Sequence, residues 1–224
     1  KKEEYKNKNS IAYDISKLFA DTIHQYLLDH IIDCSDYKTG KLLLEQGFAF
    51  ANEKVNDLLT KRKDEFEGYE RPGTVGIVAI IINHILIYAS VGDCMGILVR
   101  GNRKIIFADK QTTYVFDYLK KEKDRSLLAS KFINISSSPY GYGVINGQKG
   151  VIDYIDISYI NLEKGDTIYL VSDGISDFIQ FAKPTLFNSL ELEEIINLSN
   201  IQDDELNKPY KDDKTILRIK IANN

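Results

Sequence analysis

The stretch TIYLVSDGISDF, Thr167 to Phe178, decides how the rest of the chain is read. Thr167 to Val171 is a short apolar run rich in β-branched and aromatic side chains, the mark of a buried strand. The run stops at Ser172-Asp173-Gly174, and a second carboxylate follows at Asp177. A carboxylate at the end of a core strand is costly to desolvate unless something compensates its charge. Asp-Gly is also a common turn dipeptide, and Asp173 or Ser172 would serve as the cap of a short helix over 175–181. Spacing alone leaves both readings open.

The same texture extends upstream. VGIVAIIINHILIYASVGDCMGILVRGNRKIIFAD, residues 75–109, is β-branched and apolar, broken at Asn83-His84, Gly92-Asp93 and Gly101-Asn102. Such short breaks predict a meander of antiparallel strands joined by tight turns. The centre is too apolar for a sheet with a wet face, so both faces are expected to be covered. VIDYIDISYINL and TIYLVSD continue the strands, and KTILRIKIA alternates as a closing one.

Helices precede and follow. Ile11, Ile15, Leu18, Phe19, Ile23, Tyr26, Leu27 and Ile31 recur at three- and four-residue spacing, with Asn9 or Ser10 as N-cap. KLLLEQGFAFANEKVNDLLTKRK, residues 41–63, repeats the pattern, and Pro72-Gly73 breaks it. TTYVFDYLKKEKD reads as a helix, NISSSPYGYGVINGQKG as a loop, and LFNSLELEEIINLSN as an acidic helix after Pro184. No repeat or linker interrupts the 224 residues, so one domain over 1–224 is expected, of class α+β, with antiparallel sheets flanked by helices.

Composition narrows the function. Apolar residues make up 43% and charged residues 28%, ordinary for a globular protein, and the net charge of −4 favours neither nucleic acid nor an anionic membrane. No apolar run approaches the ~20 residues of a membrane span. Cys34 and Cys94 make no disulfide framework, which points to a cytoplasmic location. The chain starts at Lys1 and Met95 is its only methionine, so a natural segment upstream is expected.

Three acidic groups stand where strands meet turns: Asp93, Asp173 and the pair Asp212-Asp213. Hard oxygen donors beside glycine suit Mg2+ or Mn2+, and two such ions could generate a hydroxide and clamp a phosphoryl group. Against this stands their ordinary use as turn and cap residues. A rival chemistry is the Cys-x5-Arg spacing of Cys94 and Arg100, but the intervening MGILV reads as strand, which cannot wrap a phosphate. There is no Cys-x-x-Cys, His-Glu-x-x-His or Walker glycine loop, and His24, His30 and His84 read as helix-surface and hairpin residues.

In their order, four blocks resemble the type 2C, metal-dependent protein serine/threonine phosphatases, above all the bacterial branch. GTVGIVAII is similar to the family's Gly-Ser/Thr-Thr-Ala strand. LIYASVGDCMGILVRGN resembles its ANVGDSR hairpin, with Cys94-Met95 in place of Ser-Arg. TIYLVSDGISDFI resembles the SDGLSD block, and KDDKTILRIKI the terminal Asp-Asn-x-Thr or Asp-Asp-x-Thr strand. The resemblance implies a four-layer αββα sandwich, two antiparallel sheets flanked by helix pairs, with metals at one end between the sheets. It implies Asp173 and Asp212 as catalytic metal ligands, Asp93 with Asp173 on a third, more labile ion, and Gly174, Asp177 and Asp213 in support. Asp109 falls where the family has an Asp-His pair, with Lys110 replacing the histidine, and the segment around 110–150 becomes a flap over the substrate.

The implied activity is hydrolysis of phosphoserine and phosphothreonine on proteins by a water or hydroxide activated by two or three Mn2+ or Mg2+ ions. The implied protein is a monomer whose partner is a phosphorylated protein, neither nucleic acid nor membrane. The family's first metal motif, an Asp-Gly before the first long helix, is missing; KKEEYKNKN stands there. Either that motif lies upstream, or the chain is a pseudophosphatase that uses the fold as a binding or regulatory module.

Overall fold

A computed structural model describes residues 10–66, 71–108, 113–207 and 213–222. Two long helices open the fold. Helix α1, Ile11–His30, starts at Ser10, whose hydroxyl accepts from the Tyr13 N–H. Helix α2, Tyr37–Lys61, begins four residues ahead of the apolar run at 41–63 that predicted it. The reason is a capping box: Asp36 accepts from the Thr39 N–H at 2.9 Å and Thr39 Oγ1 accepts from the Asp36 N–H at 3.2 Å.

Strands β1 (Gly76–Ile82) and β2 (Ile85–Val91) form a hairpin, and β5 (Asp156–Asn161) pairs with β2 to complete a three-stranded sheet in the order β1-β2-β5. Strands β3 (Met95–Arg100), β4 (Arg103–Phe107), β6 (Thr167–Val171) and β7 (Ile216–Lys220) make the second sheet in the order β4-β3-β6-β7. Among the described residues these strands pair antiparallel throughout both sheets. The predicted meander is therefore two hairpins in different sheets. At Gly92–Cys94 the chain leaves the first sheet and enters the second, a change of layer that local periodicity cannot express.

Strand alternation sorts the core into three slabs. From β2, Ile87, Ala89 and Val91 pack with Ile15, Phe19, Leu44 and Phe48 of α1 and α2. Leu86 and Tyr88, one residue out of step, point the other way and meet Leu98 and Ile168 between the sheets. Ile97, Val99, Tyr169 and Val171 face outward from the second sheet. They are covered by α5 (Asp173–Phe181), α6 (Pro184–Ser189) and α7 (Leu192–Glu205) through Ile175, Ile179, Phe187 and Ile195. The result is the αββα sandwich expected from the sequence. Gly96 serves the middle slab: a Cβ there would sit 2.1 Å from the Phe107 ring.

Three segments depart from the sequence reading. TTYVFDYLKKEKD gives only the short α3 (Thr113–Tyr118), followed by α4 (Arg125–Ser130). The first half of VIDYIDISYINL is 3-10 helix, Lys149–Tyr154, and not strand. The acidic helix after Pro184 is broken at Leu190-Glu191, where Glu191 and Glu194 form a capping box that restarts it as α7.

Candidate functional site

The site is assembled by strand register. Met95 of β3 faces Val171 of β6. Two residues outward from that pair stand Asp93, before β3, and Asp173, after β6, so antiparallel pairing brings both to the same end of the second sheet. Val171 in turn faces Ile216 of β7, which delivers the segment before β7 to that end. Two hydrogen bonds fasten it there: Ser172 Oγ donates to the Asp213 carbonyl at 3.1 Å and accepts from the Thr215 N–H at 2.9 Å.

Each carboxylate owes its place to a local device. Gly92 turns the chain between sheets with φ +84, and a Cβ on it would lie 2.2 Å from Val75, so only glycine fits. Asp93 follows, partly buried. Asp173 is the first residue of α5 and is exposed, with one oxygen accepting from the Gly174 N–H at 2.9 Å. A carboxylate there is favoured by the helix dipole. Helix α5 starts two residues before the 175–181 span of the sequence reading, and Ser172 holds the N-cap position without spending its hydroxyl on a cap. Asp177 lies one turn along α5. Asp213 is exposed just before β7. Asp212, Asp109 and Lys110 lie outside the described residues.

Two polar residues that sequence reasoning passed over sit on the first sheet at this end. Ser90 continues the inter-sheet face of Leu86 and Tyr88; it is 1% exposed and its hydroxyl has no hydrogen-bond partner among the described residues. Its cross-strand neighbour is Asp156, half-buried on the same face. The signal was available in the alternation of ILIYASV, where Ser90 takes an inward position. Among the described residues no three His, Cys, Asp or Glu side chains gather closely enough to hold a metal ion. Asp93, Asp173 and the Ser90 hydroxyl are hard oxygen donors of the kind that Mg2+ and Mn2+ take. A complete ligand set would need a further carboxylate.

The thiol alternative fails on geometry and on charge. Burial pushes the Cys94 thiol up to about 12, and the charges of Asp93 and Asp173 add to the effect. Arg100 lies at the far end of β3, bonded to Asp166 at 2.9 and 2.7 Å and to Glu163 at 2.6 Å. Cys94→Ser is expected to keep phosphatase turnover within about threefold of the parent, since a thiol held neutral is no nucleophile; a loss of activity in that variant would reinstate the cysteine.

Comparison with known proteins follows the geometry. The protein phosphatase 2C family profile matches residues 6–125. No curated protein sequence matches the chain. Among solved structures, PppA, a regulatory component of T6SS in Pseudomonas aeruginosa, is 16% identical with a TM-score of 0.60, over 93% of this chain and 79% of that one. The Mycobacterium tuberculosis serine/threonine phosphatase PstP is 19% identical with a TM-score of 0.55, over 93% and 83%. The PstP catalytic domain in complex with 2 manganese ions is 16% identical with a TM-score of 0.57, over 93% and 81%. Among the described residues no helix is long and apolar enough to cross a membrane. By the profile match, which takes in both long helices and the Asp93 turn, the chain belongs to the protein phosphatase 2C family and is in class a protein serine/threonine phosphatase.

Proposed function

We propose that this chain hydrolyses phosphoserine and phosphothreonine on proteins with the help of Mn2+ or Mg2+, held by Asp173 and Asp212, with Asp93 and Asp173 serving a further ion. The observation that carries this reading is the Met95–Val171 register, which brings Asp93 and Asp173 to the same end of the second sheet, the end to which Ser90, buried and without a hydrogen-bond partner among the described residues, leads on the first sheet. When bound, the ions would supply charge neutralisation at the phosphoryl group and an activated water for in-line attack.

The chain's own residues do the rest. Asp173 is exposed at the start of α5, so the site opens to the surface and admits a protein segment. Met95 and Val171, the paired residues from which the chain runs on to Asp93 and Asp173, are both buried in the slab that α5 to α7 cover, so the carboxylates leave a packed pair of strands. The loop before the 3-10 helix borders the same end: Ile145 bridges to Thr74, and a Cβ on Gly143 would meet Val91 at 3.0 Å. This loop falls within the 110–150 segment that the resemblance makes a flap over the substrate.

The direct test is release of phosphate from a phosphothreonine peptide with Mn2+, with Mg2+ and with EDTA. Turnover in Mn2+ that EDTA removes and excess Mn2+ restores is expected. A folded chain with no turnover under any of these conditions would instead make the domain a binding module.

A further inference from the structure

The ammonium of Lys214 is tied into the catalytic end of the sandwich from below. It donates to the Gly174 carbonyl at 2.6 Å, one residue past Asp173, and pairs with the Asp203 carboxylate on α7. Both side chains are buried, 6% and 5% exposed. Ser199, one turn before Asp203 on the same face of α7, is also buried and donates to the Gly174 carbonyl at 3.4 Å. One carbonyl in the first turn of α5 thus gathers β7's leading segment and α7.

The charge arrangement is not what capping would produce. A lysine near a helix N-terminus works against the helix dipole. It is tolerated here because Asp203 compensates it, and a buried pair of this kind adds little stability over well-packed apolar side chains. Its distinctive effect is geometric. It fixes the first turn of α5, which carries Asp173, relative to the strand segment that carries Asp213.

We infer that Lys214 is a positioning residue: with Asp203 it locks the α5 first turn so that Asp173 stays placed to hold a divalent ion. The inference rests on the metal-dependent reading of the site and adds a residue to it. It also couples α7 to the site, since movement of that helix would reach the Gly174 carbonyl through Asp203 and Lys214.

The experiment uses the chain with the paired replacement Asp203→Leu and Lys214→Met, which removes both charges together and so avoids stranding one in the core. Lys214→Arg, which keeps the charge and its hydrogen-bond donors, is the conservative variant. Asp166→Asn, at the opposite end of β6, controls for simple loss of stability. In metal-free protein, amide exchange over residues 173–178 is expected to quicken at least ~10-fold in the paired variant. Mn2+ affinity should fall by about 10- to 100-fold. Lys214→Arg should recover most of both, whereas Asp166→Asn should leave Mn2+ affinity unchanged and quicken exchange only as a spread over the whole chain, with no excess at residues 173–178. Unchanged exchange overturns the inference. So does faster exchange with unchanged Mn2+ affinity, which would leave the pair a structural one. If the parent chain binds Mn2+ but shows no turnover, the phosphatase reading fails while exchange and affinity still decide the role of Lys214. If the parent binds no Mn2+, both fall.

Discussion

Replacing Asp173 by asparagine is expected to lower Mn2+-dependent hydrolysis of a phosphothreonine peptide by about 10^3-fold, the consequence of losing several kcal/mol of metal-derived stabilisation at 1.36 kcal/mol per tenfold. The substitution keeps shape and removes charge. Asparagine is accepted at helix starts, and Asp173 is exposed, so folding should barely notice. The loss expected there is the helix-dipole contribution of a carboxylate, about 0.3–1 kcal/mol. The two readouts therefore separate: thermal melting stays within a few degrees of the parent, and turnover collapses. Asp173→Asn that retains a tenth or more of the parent turnover would remove Asp173 from the metal site. A variant that loses turnover only in step with its melting temperature would reduce the residue to a helix-start carboxylate.

The elements of the fold were legible where a side-chain pattern repeats. Ile11 to Ile31 recur at helical spacing, and their buried members Ile15, Phe19, Ile23 and Leu27 are the ones that join α2 and the first sheet in one core slab. ILIYASV and TIYLV read as strands and are strands. The carboxylates were legible for a related reason, since charge at the end of an apolar run stands out. Pairing was not. Nothing in SVGDCMG announces that the chain changes sheets there, because a change of layer depends on tertiary packing and leaves the local alternation intact.

Lys214 and Asp203 were illegible for the opposite reason. In KDDKT the aspartates carry the signal and the lysine reads as solvated, and IQDDE looks like a solvated charge run, as most such runs are. Only the fold reveals that one lysine and one aspartate turn inward and meet. Ser90 lies between these cases. Its inward position follows from strand alternation, but that its hydroxyl finds no partner among the described residues follows only from the packed sandwich.

Asp166→Asn is expected to destabilise the chain by about 3 kcal/mol at pH 7, the lower end of what breaking a buried ion pair costs, while leaving Mn2+ affinity and turnover in place. The Asp166 side chain is fully buried and meets Arg100 in a two-pronged contact at 2.9 and 2.7 Å. It also accepts from the Glu163 N–H at 2.7 Å. Burial pushes its carboxyl upward, but the hydrogen bonds from Arg100 and Glu163, with the charge of Arg100, outweigh burial and hold it below the usual carboxylate range. A carboxyl lowered by folding stabilises fully above its unfolded pKa, about 3.9, and loses that contribution as pH falls through the folded value. The gap between parent and Asp166→Asn in urea unfolding should thus stay constant from pH 7 to pH 5 and narrow below about pH 4. A gap under about 1 kcal/mol at pH 7 would place the pair with surface ion pairs of little consequence. A gap that persists unchanged at low pH would show that the ionised form of Asp166 is not what matters. Asp166 precedes β6 and Asp173 follows it, so the strand that presents the site at one end is anchored at the other by a charge pair that takes no part in the chemistry.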